Sequence, residues 1–380
     1  MQKLDGISMS KQLNKKNKEL ASDLSKIRKQ IDSIDYQIQT LINDRARCAQ
    51  KVGLSKGVDS STIDYYRPER EAEVLRSVLN RNEGPLRDEE ILRLFREIMS
   101  ACLAQQEPLK VGYLGPEGTF TQAAVFKHFG HSVSALPFGT IDEVFQEVET
   151  KIADFGVVPI ENSTEGTVNN TLDMFIASPL KICGEIELLI EHNLIGKMKS
   201  IEGISRVCAH EQALAQCRGW LREHLPDIEL IGVSSNAIGA RRARDEVGTA
   251  AIGGDTASEV YDLNILVKNI EDRSNNATRF MVIGRSLLTS SGDDKTTILV
   301  STNETDDAGA LYSLLEPLAK QGINITRIES RPSRKKNWEY VFFLDLDGHA
   351  EEKPLSKVLE TVKEKSSLFR ILGAYPKVVK

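Results

Sequence analysis

Little in this chain points toward a disulfide, a metal or a membrane. Its five cysteines, Cys48, Cys102, Cys183, Cys208 and Cys217, are odd in number and contain no CxxC pair, which argues against a disulfide framework and a structural zinc site. Most are expected to be small core residues. The six histidines are scattered and join no Cys/Asp constellation, so no metal is expected. No apolar run approaches the roughly 20 residues that cross a bilayer, and the lysine-rich start lacks the apolar core of a secretion signal. A cytoplasmic protein without a membrane partner is expected. A formal net charge of -6 speaks against a general nucleic-acid binder and leaves the basic run Lys11 to Lys18 as a local tail.

What is present is the composition of a folded chain, 40% hydrophobic and 27% charged, whose 380 residues exceed one ordinary core. Leu20, Leu24, Ile27, Ile31, Ile34, Ile38 and Leu41 recur at spacings of four and three, and Ala49 and Val52 extend the stripe. They predict one helix of about 35 residues. Such a helix is about 50 Å long, more than a small monomeric bundle covers, so a partner helix is expected, from a second chain if need be. A plain coiled-coil arm would show the same stripe. Tyr66-Arg67-Pro68-Glu69-Arg70 opens a second helix, with Val74, Leu75, Val78 and Leu79 on its buried face. A third comes after the Asn82-Glu83-Gly84-Pro85 turn, from Ile91 to Leu103.

Cationic residues Arg28, Arg45 and Lys56 flank the stripe, and Arg70, Glu71 and Gln106 lie further on; singly, each reads as surface solvation. Together with IRKQIDSID at Ile27 to Asp35, NDRA at Asn43 to Ala46 and YRPEREA at Tyr66 to Ala72, the segment from Leu24 to Gln106 resembles the all-helical chorismate mutases fused to prephenate dehydratase. The resemblance implies that Arg28, Arg45 and Lys56 bind a dianionic substrate, that Glu71 and Gln106 contact its hydroxyl and ether oxygens, and that Arg70 lies close by. Serine is usual in the family where Cys102 stands, and aspartate sometimes occurs where Arg67 stands. A Claisen rearrangement is intramolecular and needs neither nucleophile nor metal, only donors placed where negative charge develops. Lys56 and Gln106 are expected to stabilise the ether oxygen. Arg28 and Arg45 are 17 positions apart, about 25 Å along a straight helix, so one chain cannot bring both to one small molecule. Arg28 is therefore expected to reach a neighbouring chain's site, as in the crossed pairs of subunits of that family.

At Pro108 the pattern changes. Leu109 to Leu114 reads as a strand, and Gly115-Pro116-Glu117-Gly118-Thr119 as a tight turn into a helix. The turn is neither GxxxxGKS/T nor GxGxxG, which disfavours a nucleotide site. Further strands are expected at Ser132–Ala135, Phe155–Pro159, Glu185–Ile190, Arg206–Ala209 and Glu229–Val233, with helices at Ile141–Val148 and Glu211–Leu221, a two-lobed α/β pattern. Thr119 and Thr121 are placed to expose hydroxyls or amides to a ligand carboxylate, although Thr119 would equally serve as a helix cap. PIENSTEGT at Pro159 to Thr167 crowds polar groups at the end of an apolar strand.

GPEGTFT at Gly115 to Thr121, this PIENSTEGT segment, Ala209-His210 and NATRF at Asn276 to Phe280 give residues 111–284 a close resemblance to prephenate dehydratases. It implies two lobes around a cleft, no cofactor, and Thr278 as the donor that assists departure of the ring hydroxyl. Asn162 and Ser163 are expected to position substrate, with Thr167 beside them, and Glu161 to orient the loop or handle protons. Arg279 either binds a carboxylate or locks the loop. His210 and Asn236 are cleft candidates, with a structural hydrogen bond the alternative for His210.

After Ser290 to Asp294, strands and helices alternate as strand 296–301, helix 308–319, strands 323–330 and 340–346, helix 355–363 and strand 369–372, the order of an α+β ferredoxin-like domain. Gly309-Ala310-Leu311 and Glu329-Ser330-Arg331-Pro332 resemble the phenylalanine-binding regions of ACT regulatory domains. The resemblance implies paired domains that bind L-phenylalanine through Asn324 and the backbone near Ala310 and Leu311, with Glu329 to Pro332 shaping the interface or transmitting closure. The fold class expected is multidomain: a flexible extension over 1–17, an all-α mutase domain over 18–107, a two-lobed α/β dehydratase domain over 108–286, a linker over 287–294, and an α+β ferredoxin-like ACT domain and tail over 295–380. The partners expected are chorismate, prephenate, L-phenylalanine and a second copy through the mutase domain, with higher assembly left open. Two readings compete: a binding protein that lost catalysis, and a dehydratase with a structural helical arm.

Overall fold

The computed structural model describes the backbone of residues 2–55, 66–105, 107–302, 308–333 and 340–379, and the side chains of these residues from 23 to 52 and from 66 onward. The chain divides into two units, residues 1–59 and 60–380. The first is a single helix, α1 (Gln2–Ser55), of 54 residues. It runs through residues 2–17 of the expected flexible extension over 1–17, and exceeds the expected length of about 35. Its apolar stripe is uncovered: Leu24, Ile27, Ile31, Ile34, Ile38 and Leu41 are each at least 46% exposed.

The second unit begins with α2 (Pro68–Asn80) and α3 (Asp88–Leu103). Pro68 opens α2 where a missing N–H costs nothing. Two short helices cannot bury both their faces against each other. Tyr66 accordingly joins a core with Val111, Tyr113, Phe129 and Phe155, and Cys102 is buried. These two helices thus share a unit with the α/β lobes.

The lobes are two in number. In chain order their elements are β1 (Lys110–Leu114), α4 (Phe120–Phe129), β2 (Ser134–Phe138), α5 (Ile141–Glu149), β3 (Phe155–Asn162), β4 (Gly166–Thr167), α6 (Asn169–Ala177), β5 (Lys181–Leu189), β6 (Asn193–Gly196), β7 (Arg206–His210), α7 (Glu211–Gln216), α8 (Arg218–His224), β8 (Glu229–Val233), α9 (Asn236–Asp245), β9 (Thr249–Gly253), α10 (Asp255–Val260), β10 (Asn264–Val267) and β11 (Ala277–Gly284). Lobe one has strand order β2-β1-β3-β11-β5, with β4 beside β3; lobe two has β10-β6-β9-β7-β8. The chain leaves lobe one after β5 and returns through β11, so two crossings join the lobes. On its return β11 lies antiparallel between β3 and β5, opposing Thr278 to Asn162 and Arg279 to Glu161.

The third sheet is built from β12 (Asp294–Thr302), α11 (Ala310–Lys320), β13 (Ile325–Pro332), β14 (Tyr340–Asp347), α12 (Leu355–Glu364) and β15 (Ser366–Pro376). Its order β13-β14-β12-β15, antiparallel throughout, is the expected ferredoxin-like arrangement. Strand alternation gives this sheet two apolar faces. Ile298, Val300, Leu344 and Leu346 pack on α11 and α12, whereas Leu299, Val341, Phe343 and Tyr375 join the core of lobe one with Phe175 and Ile182. The regulatory-type sheet is therefore docked against the lobe that carries Thr278. Four cysteines are buried and Cys48 is exposed. No helix of the described residues is long and apolar enough to cross a membrane.

Candidate active site

A cleft of about 270 Å³ opens between the lobes. Thr119, Thr121, Asn162, His210, Asn236 and Thr278 line it, drawn together from five separate segments, as do Phe120, Phe280, His192, Gln212, Gln216 and Asn276. No Asp, Glu, Lys or Arg is among the described lining residues. Helices α4 and α9, of ten residues each, begin at the cleft, and the unpaired amides of a first turn favour negative charge. Thr119 caps α4, its Oγ1 3.4 Å from the Gln122 amide, and its hydroxyl also points to the Leu114 carbonyl at 3.3 Å. The capping role of Thr119 is thus realised, at the rim of the cleft. Gly118 precedes it at φ +81°, where a Cβ would stand 2.7 Å from the Tyr261 ring, so only glycine fits this turn. His210 caps α7 through Nδ1, and its own backbone amide donates to Asn236 Oδ1 at 2.9 Å. The expected structural hydrogen bond and the cleft position both apply to it.

The polar wall of lobe one has a defined donor direction. Asn162 Oδ1 accepts the backbone amides of Thr164 (2.9 Å) and Glu165 (3.2 Å), so its Nδ2 faces the other way and donates to Thr278 Oγ1 at 2.8 Å and Asn276 Oδ1 at 3.0 Å. Thr278 Oγ1 is an acceptor in that bond, which leaves its own hydrogen for another partner. Asn276 Nδ2 donates onward to Gln216 Oε1 at 3.2 Å, and His192 Nε2 lies 2.8 Å from the same oxygen. Burial pushes the His192 pKa down, so the ring is neutral. Sequence reasoning missed Asn276, Gln216 and His192 as cleft residues. The available signal was His192-Asn193 breaking an apolar stretch between Ile190 and Leu194.

Four predicted site residues do not face this cleft. Successive side chains of a strand point to opposite faces, so the neighbours of Thr278 and Asn162 on β11 and β3 point to the regulatory sheet. Arg279 donates from Nε to Glu185 at 2.9 Å and from Nη2 to Asp345 of β14 at 2.6 Å; Glu161 accepts from Arg327 of β13 at 2.9 Å. Of the two roles considered for Arg279, carboxylate binding in the cleft is therefore not realised, and it holds strands together. Burial alone would lower the Arg279 pKa, but the Asp345 and Glu185 carboxylates outweigh it and hold the group far above its ordinary range. Thr167 donates to Glu329 at 2.9 Å on the same side. Ser163 Oγ accepts the Ala277 amide at 2.9 Å and so fixes loop geometry.

In the regulatory-type domain, Gly309 sits at φ +91° as the N-cap of α11, with Ala310 and Leu311 half-buried in its first turn. Asn324 donates to Asp347 at 2.8 Å. Along β13 the motif splits by strand alternation: Glu329 and Arg331 turn to lobe one, with Arg331 bonding Asn169 and Asp173 at 2.8 Å each, while Ser330 and Pro332 are exposed.

Of the mutase residues, Arg28 is exposed and Arg45 half-buried on α1. Lys56 and Gln106 lie outside the described residues. Arg67 pairs with Glu69 at 2.8 Å and Arg70 with Glu73 at 2.6 Å, both arginines exposed. Glu71 lies against the buried Tyr66 phenol and near Arg96, with His128 Nε2 3.3 Å from the phenol oxygen. Cys102 is 3% exposed in the α3 core.

Three family models match in chain order: chorismate mutase type II over residues 27–107, prephenate dehydratase over 111–287 and the ACT domain over 296–364. A bifunctional chorismate mutase/prephenate dehydratase of Pseudomonas aeruginosa is 51% identical over 94% of this chain and 98% of its own length; one of Aquifex aeolicus is 45% identical over 94% and 99%. The solved prephenate dehydratase of Arthrobacter aurescens, in complex with L-Phe, is 35% identical with a TM-score of 0.65, covering 70% of this chain and 90% of that one. With all three segments matched in order and near-complete coverage of both chains, this protein belongs to the bifunctional chorismate mutase/prephenate dehydratase family.

Proposed function

We propose that the chain rearranges chorismate to prephenate and converts prephenate to phenylpyruvate, under the control of L-phenylalanine bound at its ACT domain. The observation that carries the second step is a cleft without charged side chains among its described lining residues, whose polar wall leaves the Thr278 hydroxyl hydrogen free. Prephenate loses its ring carboxylate as carbon dioxide; the electron pair of that bond enters the ring and expels the hydroxyl oxygen, which leaves as water after gaining a proton. The Thr278 hydroxyl donates to the departing oxygen as the bond breaks, and solvent supplies the net proton. Because threonine is a weak acid, the transfer is concerted with departure or stays an orienting bond. Helix N-termini hold the side-chain carboxylate, and the absence of lysine or arginine among the described residues of the cleft avoids anchoring the carboxylate that must leave.

The first step needs only two carboxylates held and the ether oxygen stabilised, the roles of Arg28, Arg45, Lys56, Glu71 and Gln106. The uncovered stripe of α1 supports a second copy as its partner. For control, an effector must bind one state better than another, and the ionic contacts between β13, β14 and lobe one give the regulatory sheet something to change. Purified chain supplied with chorismate should accumulate prephenate and then phenylpyruvate, the second step slowing with L-phenylalanine. Absence of prephenate would overturn the mutase assignment, absence of phenylpyruvate from added prephenate the dehydratase assignment, and calorimetric phenylalanine binding without a change in rate the inhibitory one.

A further inference from the structure

We infer that Asn276 is a positioning residue for the dehydratase reaction: it spans the two lobes and carries the direction of the amide chain from Asn162 to Gln216, so that Gln216 Nε2–H is kept as a donor. The inference rests on the dehydratase reading above. The chain of amides starts from two backbone N–H groups, which can only donate. They fix Asn162 Oδ1, hence Asn162 Nδ2 as donor, hence Asn276 Oδ1 as acceptor and Nδ2 as donor, hence Gln216 Oε1 as acceptor. Gln216 Nε2 is then the end of the chain. It is buried without a hydrogen-bond partner, on a residue that lines the cleft. A buried amide N–H left unpaired is unfavourable, so its place at a ligand cleft points to a substrate acceptor. Asn276 itself is only 7% exposed and is the one side chain bonded to both Asn162 of lobe one and Gln216 of lobe two among the described residues.

Reversing one link reverses the end. An ionised carboxyl introduced by Asn276→Asp can still accept from Asn162, but it presents an oxygen to Gln216 Oε1. Gln216 relieves the repulsion by turning its amide, which puts Oε1 where the cleft needs a donor. Protonating the introduced carboxyl restores an O–H to Gln216 Oε1 and the original direction. The groups around position 276 are Glu165 from the β3–β4 turn, Glu271, Asp272 and Arg273 from the segment before β11, and His192 behind Gln216. Three carboxylates against one guanidinium, together with burial, favour the protonated form at mildly acid pH.

The test measures phenylpyruvate formation from prephenate by the full chain at pH 5 to 8. For Asn276→Asp, kcat/KM relative to wild type should rise at least tenfold from pH 8 to pH 5; for Asn276→Ala it should be reduced at least tenfold with no trend. A ratio for Asn276→Asp that is flat across this range, or Asn276→Ala within twofold of wild type, would overturn the inference while leaving the dehydratase reading intact. An inactive wild-type chain would overturn both. Should Asn276→Asp fail to fold by circular dichroism, Asn276→Ala decides the matter, with a loss in kcat/KM supporting the inference only if the thermal midpoint and mutase rate stay at wild-type values.

Discussion

Arg279 reaches across from β11 to Asp345 on β14 at 2.6 Å, while Thr278, its neighbour in sequence, faces the cleft on the other side of the same strand. The Asp345 side chain is 2% exposed and that of Glu185, the second carboxylate on Arg279, 9%. Arg279→Ala would leave the buried Asp345 carboxylate without its cation, while Glu185 keeps Lys295 at 2.6 Å, a loss of about 3–5 kcal/mol. Urea unfolding should show it. In the folded variant, KM for prephenate should stay within threefold of wild type and the response to phenylalanine should weaken; a KM raised tenfold or more would return Arg279 to the cleft.

Thr278→Ala removes the hydroxyl whose hydrogen the Asn162 bond leaves free. Loss of a positioned proton donor lowers rates by about 10²–10⁴. Steady-state assays should place the loss in kcat of the dehydratase and spare the mutase, and Thr278→Ser should recover a large part of it.

On α1 the two arginines are separated by a span no single small acid bridges. Arg28→Ala and Arg45→Ala chains should each lack mutase activity, and refolding equal amounts together should restore up to about a quarter of the wild-type rate, since about half of the dimers are mixed and each of these holds one intact site of two. Chorismate disappearance in the dimer fraction of the refolded mixture is the measurement. No recovery would mean that the two residues serve the same chain.

His128, half-buried behind Tyr66, has its pKa depressed to about 3, first by burial and then by the Arg96 charge. An unfolded histidine titrates near 6.5. Between these values the unfolded chain binds the extra proton, so the stability tied to a neutral His128 is complete above about pH 6.5 and is lost as the pH falls toward 3. The slope for one group is at most about 1.4 kcal/mol per pH unit, less for a ring with some solvent contact. His128→Gln should flatten the fall in urea midpoint between pH 6.5 and 4, although His192, shifted in the same direction, retains part of it.

Much of the architecture was legible because its signals are local. Gly118 and Thr119 announce a turn and a cap, Pro68 a helix start, and the alternation of the last 85 or so residues a ferredoxin-like sheet. The Ala250-Ala251 pair of the five-residue β9 and the four-residue strands β6 and β10 carry too little pattern to be read. The candidate site was legible in position along the chain but not in direction. Strands β3 and β11 are covered on both sides, so no polar face marks the solvent, and Glu161 and Arg279 read as ligand groups although they face the third sheet. Asn276, Gln216 and His192 were hidden for a different reason: their amide and imidazole groups matter through each other, across three segments that only folding brings together.

The split loyalty of β11 also limits how this segment can change. Losing one residue ahead of Thr278 would shift the strand by half a pleat, carry the guanidinium into the neutral cleft and bury the hydroxyl against Asp345. Length variation in such enzymes should therefore collect in the segment before Asn276, whereas the run from Asn276 to Phe280 keeps its spacing.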